Sequence, residues 1–296
     1  MACFADSALG KRSSIVSALL LCAGLSVDIA SAQNVLLQSI PTSKSQITLR
    51  YLRPYFGDEY SPRNYDLSRF SGIYDLSCNL PVSSDINFIY SLPVIVYHAR
   101  RDPSIYPFAS IRSTYKENGI GNIFLGLQKR WVYTEETGAN VSAGIFLPTA
   151  SEQTSFSEFS LKTNFYEREK YWPKTLSIYG NFAYHLIPSR GGKFVFEFGQ
   201  DIWIPTGKRT REIELLYHCG VSGGIHFSHI AVFLEYAGEF ILTEEYPEFD
   251  DRFSNSVALG MQVAKGVVRP GGFYKFCLAE DCHGRVLGLK IDMCLE

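Results

Sequence analysis

The stretch Asn122-Ile123-Phe124-Leu125-Gly126-Leu127-Gln128-Lys129-Arg130-Trp131-Val132-Tyr133 decides the fold. Read two at a time, it splits into Ile123, Leu125, Leu127, Lys129, Trp131 and Tyr133 on one parity and Asn122, Phe124, Gly126, Gln128 and Arg130 on the other. Successive side chains of an extended chain point to opposite faces, so a sustained period of two predicts a strand. The pattern recurs along the chain. Val141, Ala143 and Ile145 oppose Asn140, Ser142 and Gly144; Phe194, Phe196, Phe198 and Ile202 oppose Glu197, Gly199 and Asp201. Ile230, Val232, Leu234 and Tyr236 oppose Glu235 and Glu239, and Leu287, Leu289 and Ile291 oppose Lys290 and Asp292.

Counting such segments predicts about twelve strands, the weakest being the first three, near 45–54, 70–81 and 85–97. The connections alternate in length. Ser83 to Asp85, Thr134 to Gly138, Ser189 to Gly192, Ser228-His229 and Ala264 to Gly266 are short, whereas 55–69, 99–120, 149–173 and 244–252 read as longer loops; 206–211 and 279–284, at that same end, are short and make the contrast incomplete. Short turns at one end and longer loops at the other is the layout of outer-membrane barrels, and an even strand count puts both termini on the short-turn, periplasmic side.

Composition agrees. The chain has 296 residues with 21 Phe, 18 Tyr and 3 Met, a balance that favours strands. A net charge of −2 with 20% charged residues excludes a wholly disordered chain, and it lacks the basic excess of a nucleic-acid binder. Residues 1–32 read as a signal peptide: Lys11 and Arg12 precede the apolar stretch Ile15 to Val27, and Ala30-Ser31-Ala32 supplies the small residues of a cleavage site. That apolar stretch is shorter than the roughly 20 residues a helical span needs. Residues 33–44 then form a short N-terminal segment and 45–296 a single barrel domain.

A twelve-stranded closed barrel is too wide for apolar side chains alone to fill, so its polar parity is expected to line a lumen and its apolar parity to meet lipid. The fold predicted is an all-β, transmembrane antiparallel barrel with a polar lumen. The alternative is a soluble secreted two-sheet sandwich that buries the apolar parity. Trp131, Tyr133 and Tyr184 lie near strand ends, where an aromatic girdle belongs. The lumen candidates are Arg130, Glu197, Asp201, Glu214, His218, Glu235, Glu239, Arg269, Lys275, Lys290 and Asp292, with Arg50 and Asp75 on the same parity. The acids gather between 194 and 242 and most of the bases on the closing strands. That arrangement puts a transverse field across the lumen rather than a pore of one sign.

Chemistry beyond that is sparse. No pair among Cys78, Cys219, Cys277, Cys282 and Cys294 has C-x-x-C spacing and no His cluster flanks them, so neither a metal nor a cofactor is expected. Cys277 and Cys282 could close a small disulfide loop. His226, Ser228 and His229 form the one close Ser–His grouping, at a predicted short turn. H-E-x-x-H is absent and no catalytic residue is assigned, although an outer-membrane lipid hydrolase stays as an alternative. Glu235 and Glu239, four residues apart on one strand, would stand about 13 Å apart, too far for an acid–base dyad. If the lumen is plugged, the loop 149–173 is the candidate, with Phe156, Phe159, Phe165, Tyr166, Tyr171 and Trp172; the alternative is an ordinary outer loop.

Gly119-Ile120-Gly121-Asn122-Ile123-Phe124-Leu125-Gly126 resembles a strand of outer-membrane proteins assigned to the phenol-degradation meta pathway, which are grouped with the long-chain fatty acid transporter superfamily. Ile145 to Ala150 and Ile202 to Gly207 are similar to that family's strand-ending L-P-T-G element, and Val268 to Gly271 and Val286 to Lys290 to its closing strands. The resemblance implies a barrel that admits small, often hydrophobic or aromatic molecules. The chain departs from it in ending Met293-Cys294-Leu295-Glu296 without a terminal aromatic residue, and 33–44 is too short for an N-terminal hatch. The expectation is therefore an outer-membrane channel secreted by its signal peptide. Its partners would be the lipid bilayer, a small solute and the barrel-assembly machinery, and a structural barrel without transport is the alternative.

Overall fold

The structure, a computed structural model, describes residues 44–55, 65–101, 114–152, 159, 164–188, 191–207, 212–243, 253–278 and 285–295. The predicted signal peptide 1–32 and residues 33–43 lie outside the described residues. Fourteen strand segments follow one another: β1 Ser45–Tyr55, β2 Tyr65–Leu67, β3 Gly72–Pro81, β4 Ile86–Arg101, β5 Thr114–Ile120, β6 Ile123–Val132 and β7 Thr137–Leu147. After a 3-10 helix at Phe165–Lys170 come β8 Thr175–Leu186, β9 Gly192–Pro205, β10 Glu214–Phe227, β11 Ile230–Ile241, β12 Phe253–Val263, β13 Val268–Cys277 and β14 Arg285–Leu295.

All neighbours pair antiparallel, and the sheet closes on itself. Leu49 of β1 faces Ile291 of β14 on one side and Leu76 of β3 on the other. The fourteen segments make twelve staves. β2 continues the stave of β3, both pairing with β4, while β5 and β6 pair with successive parts of β4 and share a stave broken at Gly121-Asn122. The predicted count of twelve is observed, but two predicted connections are corrected, the first being 55–69, which contains β2. The segment 99–120 is not loop throughout, because β4 runs on to Arg101 and Thr114–Ile120 pairs with it as β5. Lys116, Glu117 and Asn118 carry this stave above the apolar band, where both faces are polar and the two-residue period vanishes.

The two parities are inverted relative to a soluble protein. Outward-facing Leu127, Phe198, Leu234 and Met261 are between 54% and 61% exposed, whereas inward-facing Gln128, Glu235 and Asp292 are at 1% or less. A closed barrel has no second sheet to cover its outer apolar face, so that face requires lipid and the chain is a transmembrane barrel. Wall glycines let large side chains lie flat inside. A Cβ on Gly288 would come within 1.9 Å of the Phe273 ring, which lies buried against the inner wall there. The short turns all lie at one end of the barrel. The connection between β7 and β8, at the other end, folds inward.

Candidate functional site

That connection ends in a short helix inside the barrel. Glu167 N–H donates to the Asn164 carbonyl at 3.2 Å and Tyr171 N–H to the Arg168 carbonyl at 2.9 Å, the tight i to i+3 pattern of a 3-10 turn. Pro173 and the left-handed Lys174 (φ 56°) then turn the chain out into β8. Asn164, Glu167, Arg168, Glu169, Lys170 and Tyr171 are all buried, an enclosure that four charged residues tolerate only when paired.

Glu167, Arg168 and Lys170 are ion-paired to distant walls. On one side, the Asp75 carboxylate of β3 accepts from Arg50 of β1 and from Lys170, each at 2.7 Å, and from Ser91 of β4 at 2.8 Å. Glu167 closes the square, 2.5 Å from Arg50 and 2.7 Å from Lys170. Asn164 donates to Glu167 and accepts from the Lys275 ammonium of β13 at 2.6 Å. Toward the other wall, Arg168 lies 3.0 Å from Glu239 of β11 and donates to Ser254 of β12 at 3.3 Å. Behind that pair, His218 of β10 sits 3.4 Å from Asp201 of β9 and stacks on Tyr179 of β8. Asp75 of β3 and Glu239 of β11 are on staves five apart in the ring of twelve, so the helix bridges two distant walls of the lumen.

The charges on the helix feel these neighbours. Burial pushes the Glu167 carboxyl up, but the Arg50 and Lys170 cations outweigh it and hold the group below its ordinary value of 4.5. Glu169 goes the other way: burial, reinforced by Asp201, Glu239 and Glu167, raises it well above 4.5. Glu169 is therefore a group that favours its protonated form in this position.

The backbone of the helix is also sewn into the wall, at the break between β5 and β6. Asn122 is fully buried and donates through Nδ2 to the Glu169 and Trp172 carbonyls at 2.7 and 2.8 Å, while its Oδ1 accepts from Ala150 N–H at 2.8 Å. Its own N–H donates to the Lys170 carbonyl. Gly121 must be glycine, since a Cβ there would meet that carbonyl at 2.3 Å. An apolar layer completes the closure on one side, with Tyr171 packed among Leu52, Ile73, Ile95, Tyr97 and Phe159. Trp172 packs on Trp203, Leu216 and Ile241 at the other. Of the aromatic residues in the predicted plug loop, Phe159, Tyr171 and Trp172 are thus seated, Phe156 lies outside the described residues, and the side chains of Phe165 and Tyr166 are not described.

The predicted lumen residues all fall on the inward parity but at different heights. Lys275, Glu239, His218 and Asp201 meet the helix or its neighbours, and Glu214 lies above them at the long-loop end. Glu197, Glu235, Lys290 and Asp292 are buried nearer the short turns, where Asp292 accepts from Thr48 at 2.7 Å and lies 3.4 Å from Lys290. Arg130 and Arg269 end at the short-turn rim, donating to the Ser84 and Gly266 carbonyls. Sequence reasoning put Glu239 against a base of the opposite wall, but its partner is Arg168, brought in by the loop. It also missed Asn122, Asn164 and the run Glu167-Arg168-Glu169-Lys170. The available signal was that this run alternates in sign and sums to zero, as a buried segment should.

Ser228 and His229 are in contact, Oγ to Nδ1 at 2.7 Å, but both are adjacent in an exposed turn and Ser228 adopts a left-handed φ of 56°. This is a local turn contact, and among the described residues no third group is seen to orient the imidazole as a hydrolase needs. Among the described residues, no group of three or more His, Cys, Asp and Glu side chains is placed to hold a metal ion. Cys78, Cys219 and Cys294 are free thiols and Cys277 is disulfide-bonded, while Cys282 lies outside the described residues.

No protein-family model matches the chain, and no curated protein matches it. Among solved structures, an outer membrane channel from Pseudomonas putida F1 is similar, with a TM-score of 0.59 at 8% identity over 90% of this chain and 100% of that one. The KdgM porin (TM-score 0.49, 4% identity, 85% and 99% covered) and the NanC porin (0.47, 7%, 84% and 99%) agree more loosely. The first likeness shows a shared barrel fold.

Proposed function

We propose that this chain is a channel of the outer membrane for small molecules, kept closed by its own β7–β8 loop. The observation that carries this reading is the helix Phe165–Lys170, ion-paired to Arg50 and Asp75 on one wall and to Glu239 on the other. A barrel that served only as a membrane staple would need no cross-lumen element with matched charges. A channel that must not leak does need one. The likeness in fold to an outer membrane channel supports the reading, as does the resemblance to the phenol-degradation proteins, which points to small apolar or aromatic solutes. The lipid-facing exterior and predicted leader support delivery to the outer membrane by signal-peptide secretion and the barrel-assembly machinery, and the turn-bound Ser228 supports no hydrolase.

The test is planar-bilayer conductance of the refolded protein against a variant in which 151–173 is replaced by a short Gly-Ser turn. β7 and β8 are direct neighbours, with Phe146 facing Ser177, so such a turn can close the gap. The variant is expected to conduct steadily where the wild type opens rarely. A folded, heat-modifiable variant no more conductive than the wild type would overturn the proposal. If the variant conducts and the wild type never opens under any applied potential, the structural barrel becomes the better reading.

A further inference from the structure

The outer surface at the long-loop end of β14, β1 and β3 carries a second feature, independent of the lumen. Below it, Leu287, Leu289, Ile291, Met293 and Leu295 form an apolar column on β14, matched by Ile47 and Leu49 on β1 and Leu76 and Leu80 on β3. From Leu287 to Leu295 this column is about 26 Å along the strand, close to the ~25 Å apolar band of such barrels. Its upper edge is marked by Tyr51 and Tyr74, paired across β1 and β3 with rings 4.7 Å apart.

Immediately above the tyrosines stand three arginines. Arg53 continues the outward parity of β1 and Arg285 that of β14, one pair further up, with Arg53 opposite Leu287 and Tyr55 opposite Arg285. Arg69 joins them from the turn before β3. That turn is fixed in place: Tyr51 Oη donates to the Arg69 and Ser71 carbonyls at 3.1 and 3.0 Å, Tyr74 Oη to the Phe70 carbonyl at 3.0 Å, and Arg53 Nη1 to the Arg69 carbonyl at 2.7 Å. Arg69 and Arg285 are exposed, as is Phe70 at 74%. Among the described residues, no acidic side chain shares the outward face of β14, β1, β3 or the turn 68–71.

We infer that Arg69 and Arg285, on either side of Arg53, bind the phosphate of an outer-leaflet glycolipid whose acyl chains lie along the upper half of the column, from Leu287 to Ile291. Guanidinium forks suit phosphate oxygens, and the tyrosine pair holds them at headgroup height. A free phosphate would have no use for the apolar column, and so the lipid is the ligand this surface fits. The inference rests on the outer-membrane placement and not on the channel reading; sucrose-gradient fractionation checks that placement separately.

The experiment is native mass spectrometry of the detergent-solubilised full chain with lipid A, with phosphatase-treated lipid A, and with inorganic phosphate. The Arg69→Gln/Arg285→Gln double variant is run beside the wild type. Each basic residue near an anionic lipid surface is worth on the order of fivefold in binding, so two should give about thirtyfold. The wild type is expected to retain lipid A about that much better than the double variant does, and better than it retains the dephosphorylated lipid. Equal retention of the two lipids by the wild type, or binding of inorganic phosphate as strong as that of lipid A, would overturn the inference. The lipid comparison needs only the wild type, so it stands even if the double variant fails to fold.

Discussion

Replacing Glu167 by Gln tests the plug at its centre, because Glu167 belongs to the helix and not to the wall. In the wild type the helix carboxylate and Asp75 together neutralise Arg50 and Lys170. After the change, two buried cations share the single carboxylate of Asp75, and one positive charge is left uncompensated. Removing one member of a buried pair costs about 3–5 kcal/mol when the structure cannot relax. This structure can relax without unfolding the barrel, because the helix belongs to the β7–β8 connection and not to a stave, while the Arg50–Asp75 bridge stays in the wall. The cost is therefore expected to appear as plug release rather than barrel unfolding. Taking about 3 kcal/mol, the ratio of withdrawn to docked helix shifts on the order of a hundredfold. In planar bilayers the open-state frequency should rise accordingly, while the heat-modified gel shift of the folded barrel stays intact. A folded Glu167→Gln protein with unchanged open frequency would refute the argument that these ion pairs hold the lumen shut.

Three further expectations follow from the same structure. Glu169 has a raised folded-state value, so its contribution to docking is full in acid and is lost as pH climbs above 4.5 through the raised value; open frequency should increase with pH, and Glu169→Gln should flatten that dependence. Asn122→Ala removes two donors from the Glu169 and Trp172 carbonyls and one acceptor from Ala150 N–H. At about 1–3 kcal/mol for each buried group left unsatisfied, it should open the channel and expose 148–174 to protease without releasing the barrel from the membrane, as limited proteolysis of intact vesicles would show. Leu234, on the lipid face opposite Leu259, should cost about 2–4 kcal/mol of barrel stability when changed to Arg, measured by denaturant titration in vesicles, and no loss would argue against the face assignment.

How far the sequence could be read depended on whether a residue's role was set by its own strand. The wall was legible because lipid outside and polar groups inside impose opposite demands on alternate positions, as in 122–133 and 287–293. Where a stave rises beyond the lipid, as at Lys116 to Asn118, that demand lapses and β5 read as loop. The break at Gly121-Asn122 was seen as a family-like motif, but its use was not visible. Glycine there makes room for a carbonyl of Lys170, nearly 50 residues away, and nothing local in the sequence encodes that contact.

The partners across the lumen were illegible for a related reason. From strand parity alone, acids on β9 to β11 and bases on β13, β14 and β1 could only be set against each other. Yet side chains on opposite walls of a twelve-stranded barrel are too far apart to bond directly, and water between them would screen the attraction. A segment carrying both signs resolves this by standing in the middle: Glu167 and Lys170 answer Arg50 and Asp75, and Arg168 answers Glu239. The field that the wall sets up is thus the means by which the loop is oriented, since reversing the helix end for end would place Arg168 against Arg50 and Glu167 against Glu239. A charge pattern that looked too balanced to select an ion is, on this account, balanced because its first substrate is the protein's own loop.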